Sequence, residues 1–289
     1  MAAKKEFIIL IGVSDDPVLQ YLGLFLAKKA CNVLFINQER VGRDIHFDSN
    51  YWYLPGLDKI AHTEVVGVFN RILGLIPNFN YHWRYVLAQS RLIGILDYEL
   101  SFVINPPKSM MSNSSKPYQS FLAQDFTLSF PRFSCLANVK LQSLEPEVIY
   151  KSISSVRSEA TKLHPEKEFQ VNEPVLFQEL IRGENIRVHV IGSVVIAIKI
   201  SSSQVDYRYC HDATFTLFKL PAVVANTCVE LSKFLGLIFC GIDLILCGDD
   251  YYFLEANPAP GYNYFEEKIS DIPITKELIG ILQRGKVCW

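Results

Sequence analysis

The sequence predicts an α/β protein that becomes α+β in its C-terminal half. Three observations predict it: a continuous apolar run at residues 7–13, a second run at Asn32–Asn37 with a helix-sized segment between, and, from Lys116 onward, short apolar runs separated by turn residues. With 289 residues, 49% of them hydrophobic and 20% charged, the chain can build one large domain or two to three small ones sharing a core. Disordered, collagen-like and low-complexity classes are excluded by the same composition. The net charge of −2 offers no basic surplus, so neither nucleic acid nor a membrane surface is an expected partner.

The first run, FIILIGV, reads as a strand covered on both faces. It ends in Ser14-Asp15-Asp16-Pro17, where a secretion signal would have a small-residue cleavage site. Asp15 or Asp16 can cap a helix that has Pro17 near its first position and buries Leu19, Leu22, Phe25 and Leu26. NVLFIN then closes a βαβ unit. Gly12-Val13-Ser14-Asp15 lacks the glycines of a dinucleotide-binding turn, so this half is a scaffold without a cofactor of its own. Residues 65–76 and 81–100 have helical spacing, the second with Tyr81, Trp83 and Tyr85 at its start. Residues 101–104 form a strand stopped by Asn105-Pro106-Pro107, residues 109–115 a boundary loop, and residues 117–125 a helix. The most apolar stretch, 234–247, contains Asp243 and is too short to span a bilayer. Seven scattered cysteines without CxxC or zinc spacing point to reduced thiols and a cytoplasmic protein.

The chemistry is concentrated in residues 241–261, GIDLILCGDDYYFLEANPAPG. Two apolar runs flank a turn, and a three-residue loop, Gly248-Asp249-Asp250, closed by Cys247 and Tyr251, sets Asp243 opposite Glu255 with Asn257 on the same face. A two-residue loop would instead put Asp243 and Glu255 on different faces. Facing carboxylates among apolar neighbours repel, and a divalent cation removes the conflict. Oxygen ligands without Cys or His favour Mg²⁺ or Mn²⁺. The alternative is a pair of ordinary hairpin carboxylates facing water.

An acidic residue, a spacer of about a dozen residues and then Glu255-Ala256-Asn257-Pro258 resembles the metal-binding hairpin of the ATP-grasp ligases. The upstream order is similar to that family too. Asn113-Ser114-Ser115-Lys116 resembles its first nucleotide lysine, and Val148-Ile149-Tyr150-Lys151 the strand carrying the second. LFQELI at 176–181 resembles the adenine hinge, GENIRVHVIG at 183–192 the arginine strand, and Asp206-Tyr207-Arg208 the Asp-aromatic-Arg element of the branch containing ribosomal-protein glutamate ligases and microviridin-type (graspetide) peptide-crosslinking ligases. The resemblance implies an ATP-grasp fold with a pre-ATP-grasp βαβ domain at 1–112, a central and lid subdomain at 113–180 and a C-terminal subdomain carrying the metal hairpin at 181–289.

It further implies ATP and Mg²⁺ (or Mn²⁺) as cofactors. Lys116 and Lys151 would contact phosphates as point charges. Gln178, Leu180 and Ile181 would read adenine through their main chains, and Glu179 would take a ribose hydroxyl or the adenine amino group. Asn185 stands where the family usually has an acid. Asp243, Glu255 and Asn257 would hold the metal. Arg187, a guanidinium inside the strand IRVHVI, would contact the transferred phosphoryl group, with Arg208 doing the same from a facing loop. The ordinary alternatives are solvated lysines, a strand-end glutamate and a structural salt bridge for Arg187. Lys199 and His211 read as surface groups. Residues 152–170 contain no glycine where the family has a glycine-rich lid, leaving Ser152, Ser154, Ser155 and Arg157 as donors.

The implied activity is ligation through an acyl phosphate, joining a peptide or amino-acid carboxylate to an amine or hydroxyl. Two other readings stay open: a ligase for small metabolites, and a nucleotide-binding regulator that has lost catalysis. Tyr262, Tyr264 and Phe265 can line a peptide groove or pack in the core, and the apolar end Val287-Cys288-Trp289 is compatible with a homodimer contact.

Overall fold

The first apolar run forms β1 (Phe7–Gly12), buried along its whole length, and the Asp16 carboxylate caps α1 (Pro17–Lys28) by accepting the N–H groups of Val18 at 2.8 Å and Leu19 at 3.2 Å. The structure, a computed structural model, describes residues 5–73, 83–136, 148–153, 161–162, 175–202 and 213–289. Val18, Leu19, Leu22 and Leu26 of α1 are buried and Phe25 half-buried, and β2 (Asn32–Asn37) pairs parallel with β1. A small antiparallel sheet that the sequence pattern does not announce follows, made of β3 (His46–Phe47), β4 (Tyr51–Tyr53) and β5 (Ile60–Ala61) around the buried Trp52.

Residues 65–76 were expected to be helical; the structure instead forms β6 (Val65–Asn70), parallel to β1. A short apolar run carries no decisive period, and burial between two strands decides the matter. Gly67 contributes: a Cβ there would lie 2.6 Å from the Leu282 carbonyl oxygen, so close packing requires its absence. After α2 (Trp83–Tyr98), β7 (Val103–Ile104) completes a parallel sheet in the order β2-β1-β6-β7. The expected loop at 109–115 is also corrected, since α3 (Pro107–Met110) and a 3₁₀ turn at Met111–Asn113 occupy most of it.

Ser115 caps α4 (Lys116–Ala123), its hydroxyl accepting the Tyr118 N–H at 3.4 Å. A second sheet contains β8 (Phe133–Leu136), β9 (Val148–Ser152), β10 (Thr161–Lys162) and β11 (Val175–Glu179) in the order β10-β9-β11-β8. A third holds β12 (Glu184–Ile191), β13 (Val194–Ser201) and β14 (Thr214–Phe218), followed after α5 (Ala222–Phe234) by β15 (Phe239–Cys247) and β16 (Asp250–Asn257), in the order β14-β13-β12-β15-β16. One face of this sheet presents Ile186, Val188, Ile242, Leu244, Phe253 and Ala256 to a core shared with Cys228 and Leu231 of α5. Alternate residues, among them Arg187 and Asp243, lie on the other face.

The chain ends with α6 (Asn263–Lys268) and α7 (Ile274–Arg284), the latter packed on both β6 and β12. Tyr262 and Phe265 are core residues, while Tyr264 is 44% exposed. The tail folds back, the Cys288 carbonyl accepting the Ser193 N–H at 3.2 Å. Among the described residues, no helix is long and apolar enough to cross a membrane.

Candidate active site

Two residues, Gly248 and Asp249, make the turn between β15 and β16, not the three expected: Cys247 pairs with Asp250, Leu246 with Tyr251 and Leu244 with Phe253. Continued unbroken, that register would turn Glu255 toward the apolar face. It is broken at Leu254, which has no partner on β15, and the ladder resumes with Asp243 opposite Glu255, Ile242 opposite Ala256 and Gly241 opposite Asn257. A β-bulge thus restores the facing carboxylates that the turn alone would have separated. Asn257 is held in place by its own turn, its Oδ1 accepting the Ala259 N–H at 2.9 Å.

Three cations surround the pair. On the neighbouring strand β12, Arg187 lies opposite Asp243 and donates from Nη1 to Asp243 Oδ1 at 2.6 Å. The acid paired with this buried guanidinium is therefore the expected metal ligand itself. Gly241 makes room, since a Cβ there would sit 2.8 Å from Arg187 Cζ and 2.9 Å from Pro260 Cβ. Lys116 is 3% exposed and places Nζ 3.3 Å from Glu255 Oε2. Lys151, 8% exposed, occupies the face of β9, whose following residue Ile153 accepts the Lys116 main-chain N–H at 3.0 Å. Burial pushes the Glu255 carboxyl up, but the charges of Lys116, Lys151 and Arg187 outweigh it and hold the group below its ordinary value. Neither lysine is the solvated side chain that is the usual state of this residue.

Residues 113–261 match the ATP-grasp domain family. The chain belongs to that family. A probable alpha-L-glutamate ligase of Maridesulfovibrio salexigens is 30% identical over 117 residues, and the match spans 38% of this chain and 38% of that relative. Two solved structures share the fold over nearly the whole length. The ATP-grasp ligase PsnB complexed with minimal precursor has a TM-score of 0.76 and 22% identity, with 96% of this chain and 98% of that one covered. The macrocyclase MdnC of Microcystis aeruginosa MRC, bound with precursor peptide MdnA, has a TM-score of 0.75 and 18% identity, with 96% and 99% covered.

Within this ATP-grasp fold the donor set fits a magnesium–polyphosphate. Two carboxylates and one amide lie on a single hairpin face, and among the described residues no group of three or more His, Cys, Asp or Glu forms a protein-only metal cage. Mg²⁺ commonly takes one or two carboxylates and completes its shell with substrate phosphates and water. Lys116, Lys151 and Arg187 bring positive charge to the side of the hairpin where a polyanion would sit.

The four hinge residues lie at the end of β11 and just beyond it. Gln178 is buried inside the second sheet, paired with Phe133 and Ile149, so its main chain belongs to the ladder. Leu180 and Ile181 follow the strand, half-buried. Glu179 is held below its ordinary range by Arg132, whose Nε lies 3.2 Å from Glu179 Oε2; Arg132 is a partner the sequence reading missed. Asn185 is half-buried two residues from Arg187 on the same strand face. Lys199 pairs with Glu184 at the surface. Arg208, His211 and most of 152–170, including Ser154, Ser155 and Arg157, lie outside the described residues.

Two buried amides were also missed. Asn105 donates to the carbonyls of Phe239 at 2.6 Å and Pro258 at 2.7 Å, while its Oδ1 accepts the N–H groups of Ile238 at 2.8 Å and Phe239 at 3.1 Å. Gln119 of α4 bonds both main-chain groups of Ala256. The one signal available for Asn105 was a polar residue ending an apolar strand before two prolines; for Gln119 there was none.

Proposed function

We propose that this ATP-grasp protein is an ATP-dependent ligase that activates a carboxylate as an acyl phosphate and joins it to an amine or hydroxyl, with a peptide as substrate. The observation that carries this reading is the convergence of Lys116, Lys151 and Arg187 on the facing carboxylates Asp243 and Glu255. A peptide is favoured over a small metabolite because PsnB and MdnC, which share the fold, were solved with a precursor and a precursor peptide. Cys31, Cys228, Cys240, Cys247 and Cys288 are free thiols, which supports a cytoplasmic setting.

In this reading Asp243, Glu255 and Asn257 hold Mg²⁺ (or Mn²⁺), which would supply neutralising charge to the phosphates of ATP. Lys116 and Lys151 take phosphate oxygens, and Leu180 and Ile181, with Gln178 and Glu179 behind them, border the adenine. Asn185 offers a neutral hydrogen-bonding group beside them. A substrate carboxylate oxygen attacks the γ-phosphorus, the bond to the β-phosphate oxygen breaks, and ADP leaves with that electron pair. Arg187, together with Arg208 as the family resemblance implies, offsets charge on the transferred group. The amine or hydroxyl then attacks the acyl carbon and phosphate departs. Positioning and electrostatics suffice, and no enzyme nucleophile takes part.

The test is ADP release with purified chain, Mg²⁺, ATP and acidic candidate peptides. Peptide-dependent ADP formation that Glu255→Gln abolishes supports the ligase. Occupancy of the ATP site with no ADP from any peptide would favour the nucleotide-binding regulator.

A further inference from the structure

The outer edge of β16 carries a record of the bulge. Ser129 pairs with this edge before Leu254, its N–H donating to the Tyr251 carbonyl at 2.9 Å and its carbonyl accepting the Phe253 N–H at 2.8 Å. In an unbroken strand outward-facing main-chain groups recur every second residue, so the next would belong to Glu255. They belong instead to Ala256, whose N–H donates to Gln119 Oε1 at 2.7 Å and whose carbonyl accepts from Gln119 Nε2 at 2.9 Å. Gln119 is 1% exposed, and its carboxamide stands where a neighbouring strand's peptide group would be. Ser129 thus fixes the phase of β16 before the bulge and Gln119 the phase after it.

We propose that Gln119 is a positioning residue: by holding both main-chain groups of Ala256 it selects the bulged register of β16 and so keeps Glu255 and Asn257 on the face of Asp243. The functional half of this rests on the reading of those three residues as metal ligands. The competing register, the straight continuation of the two-residue turn, would set Leu254 opposite Asp243 and carry Glu255 to the apolar face. In that register Gln119 would meet the main chain of Glu255, one residue early. Gln119 also shares α4 with Lys116, one turn away, so the same contact sets the helix that brings the Lys116 ammonium to Glu255. Sequence position, burial and the two hydrogen bonds point to one role: the amide reads the phase of the strand between two ligands.

The experiment compares wild type with Gln119→Leu, which keeps bulk and loses both bonds, and Gln119→Glu, which keeps the acceptor for the Ala256 N–H. Two readouts are taken: amide hydrogen exchange at Ala256 without nucleotide, and the Mg²⁺ concentration for half-maximal ADP formation at saturating ATP. Two lost bonds predict exchange at Ala256 faster by about tenfold or more in Gln119→Leu, with Val188 in the sheet centre unchanged. They also predict a rise of about tenfold in the Mg²⁺ requirement, with the ATP KM at saturating Mg²⁺ nearly constant. Gln119→Glu is expected between the two. A role in general stability would instead speed exchange at Ala256 and Val188 alike and leave the Mg²⁺ requirement unmoved, and that result overturns the proposal. If Gln119→Leu does not fold, Gln119→Glu carries both readouts with the same criteria. If wild type shows no Mg²⁺-dependent ATP binding by calorimetry, the ligand reading fails, while exchange at Ala256 still decides whether Gln119 holds the register.

Discussion

Asp243 faces Glu255 across a hairpin whose turn would have put them on opposite sides of the sheet, and the single unpaired residue Leu254 is what brings them together. The bulge makes one feature of the site unusually testable by deletion. Removing Leu254 leaves Phe253 opposite Leu244 and Glu255 opposite Asp243. This deletion is expected to keep Mg²⁺-dependent ATP binding, measured calorimetrically, within about tenfold of wild type while lowering thermal stability. Deleting Ala256 instead moves Asn257 to the apolar face and is expected to abolish that binding.

Glu255→Gln keeps the shape and removes a charge that Lys116, Lys151 and Arg187 jointly stabilise. ADP formation is expected to fall by about 10²-fold or more, as for the loss of a preorganised electrostatic group. A coupled ADP assay at saturating ATP reads it, and near-normal turnover would remove Glu255 from the metal site.

Gly241→Ala inserts a Cβ 2.8 Å from Arg187 Cζ and 2.9 Å from Pro260 Cβ, so the guanidinium must shift, and its contact with Asp243 is expected to weaken. The expected cost is ~1–3 kcal/mol in unfolding free energy, together with a loss of kcat larger than any change in the ATP KM. Turnover equal to wild type would show that the Arg187–Asp243 contact is dispensable.

His189, fully buried between Phe239 and Phe265, has its pKa held well below the ordinary 6.5 by burial, and the Arg187 charge adds to this. The unfolded chain then binds a proton that the folded chain refuses as pH falls below 6.5. Stability is therefore fully present above that pH and declines below it, by up to ~1.4 kcal/mol per pH unit until the folded pKa is reached. Urea titrations of wild type and His189→Gln across this window check the sign: the variant should lose this part of the pH dependence.

Lys199→Ala removes a surface pair with Glu184, the two side chains being 32% and 46% exposed. A change in stability of no more than ~0.5 kcal/mol and unaltered turnover are expected. The contrast with Lys116, 3% exposed, is one of burial and not of residue type.

Much of this arrangement was legible in residue order. The capping Asp16, the parallel pair β1 and β2 and the helix opening at Lys116 follow from local chemistry: an N-cap carboxylate, an apolar run covered on both sides, a proline at the first turn. The facing of Asp243 and Glu255 was anticipated for a different reason than the one that holds. A three-residue turn was expected, and a shorter turn with a compensating bulge produced the same pairing. Residues 65–73 were misread because apolar periodicity over so short a run is shared by buried strands and helices, and residues 74–76 lie outside the described residues.

By itself, the sequence determined which side chains carry charge, where β1, α1, β2 and α4 begin, and that acidic and amide oxygens alternate with apolar residues near the end of the chain. The tertiary structure alone decided that Arg187 pairs with Asp243, that Glu179 goes to Arg132, that Gln119 grips the strand bearing Glu255 and Asn257, and that Asn105 ties the start of β15 to Pro258 just past that strand. Those contacts join residues between 47 and 153 positions apart. Local propensity acts over a few residues, whereas the pairing of a buried polar group depends on whichever distant main chain the packed core brings within about 3 Å.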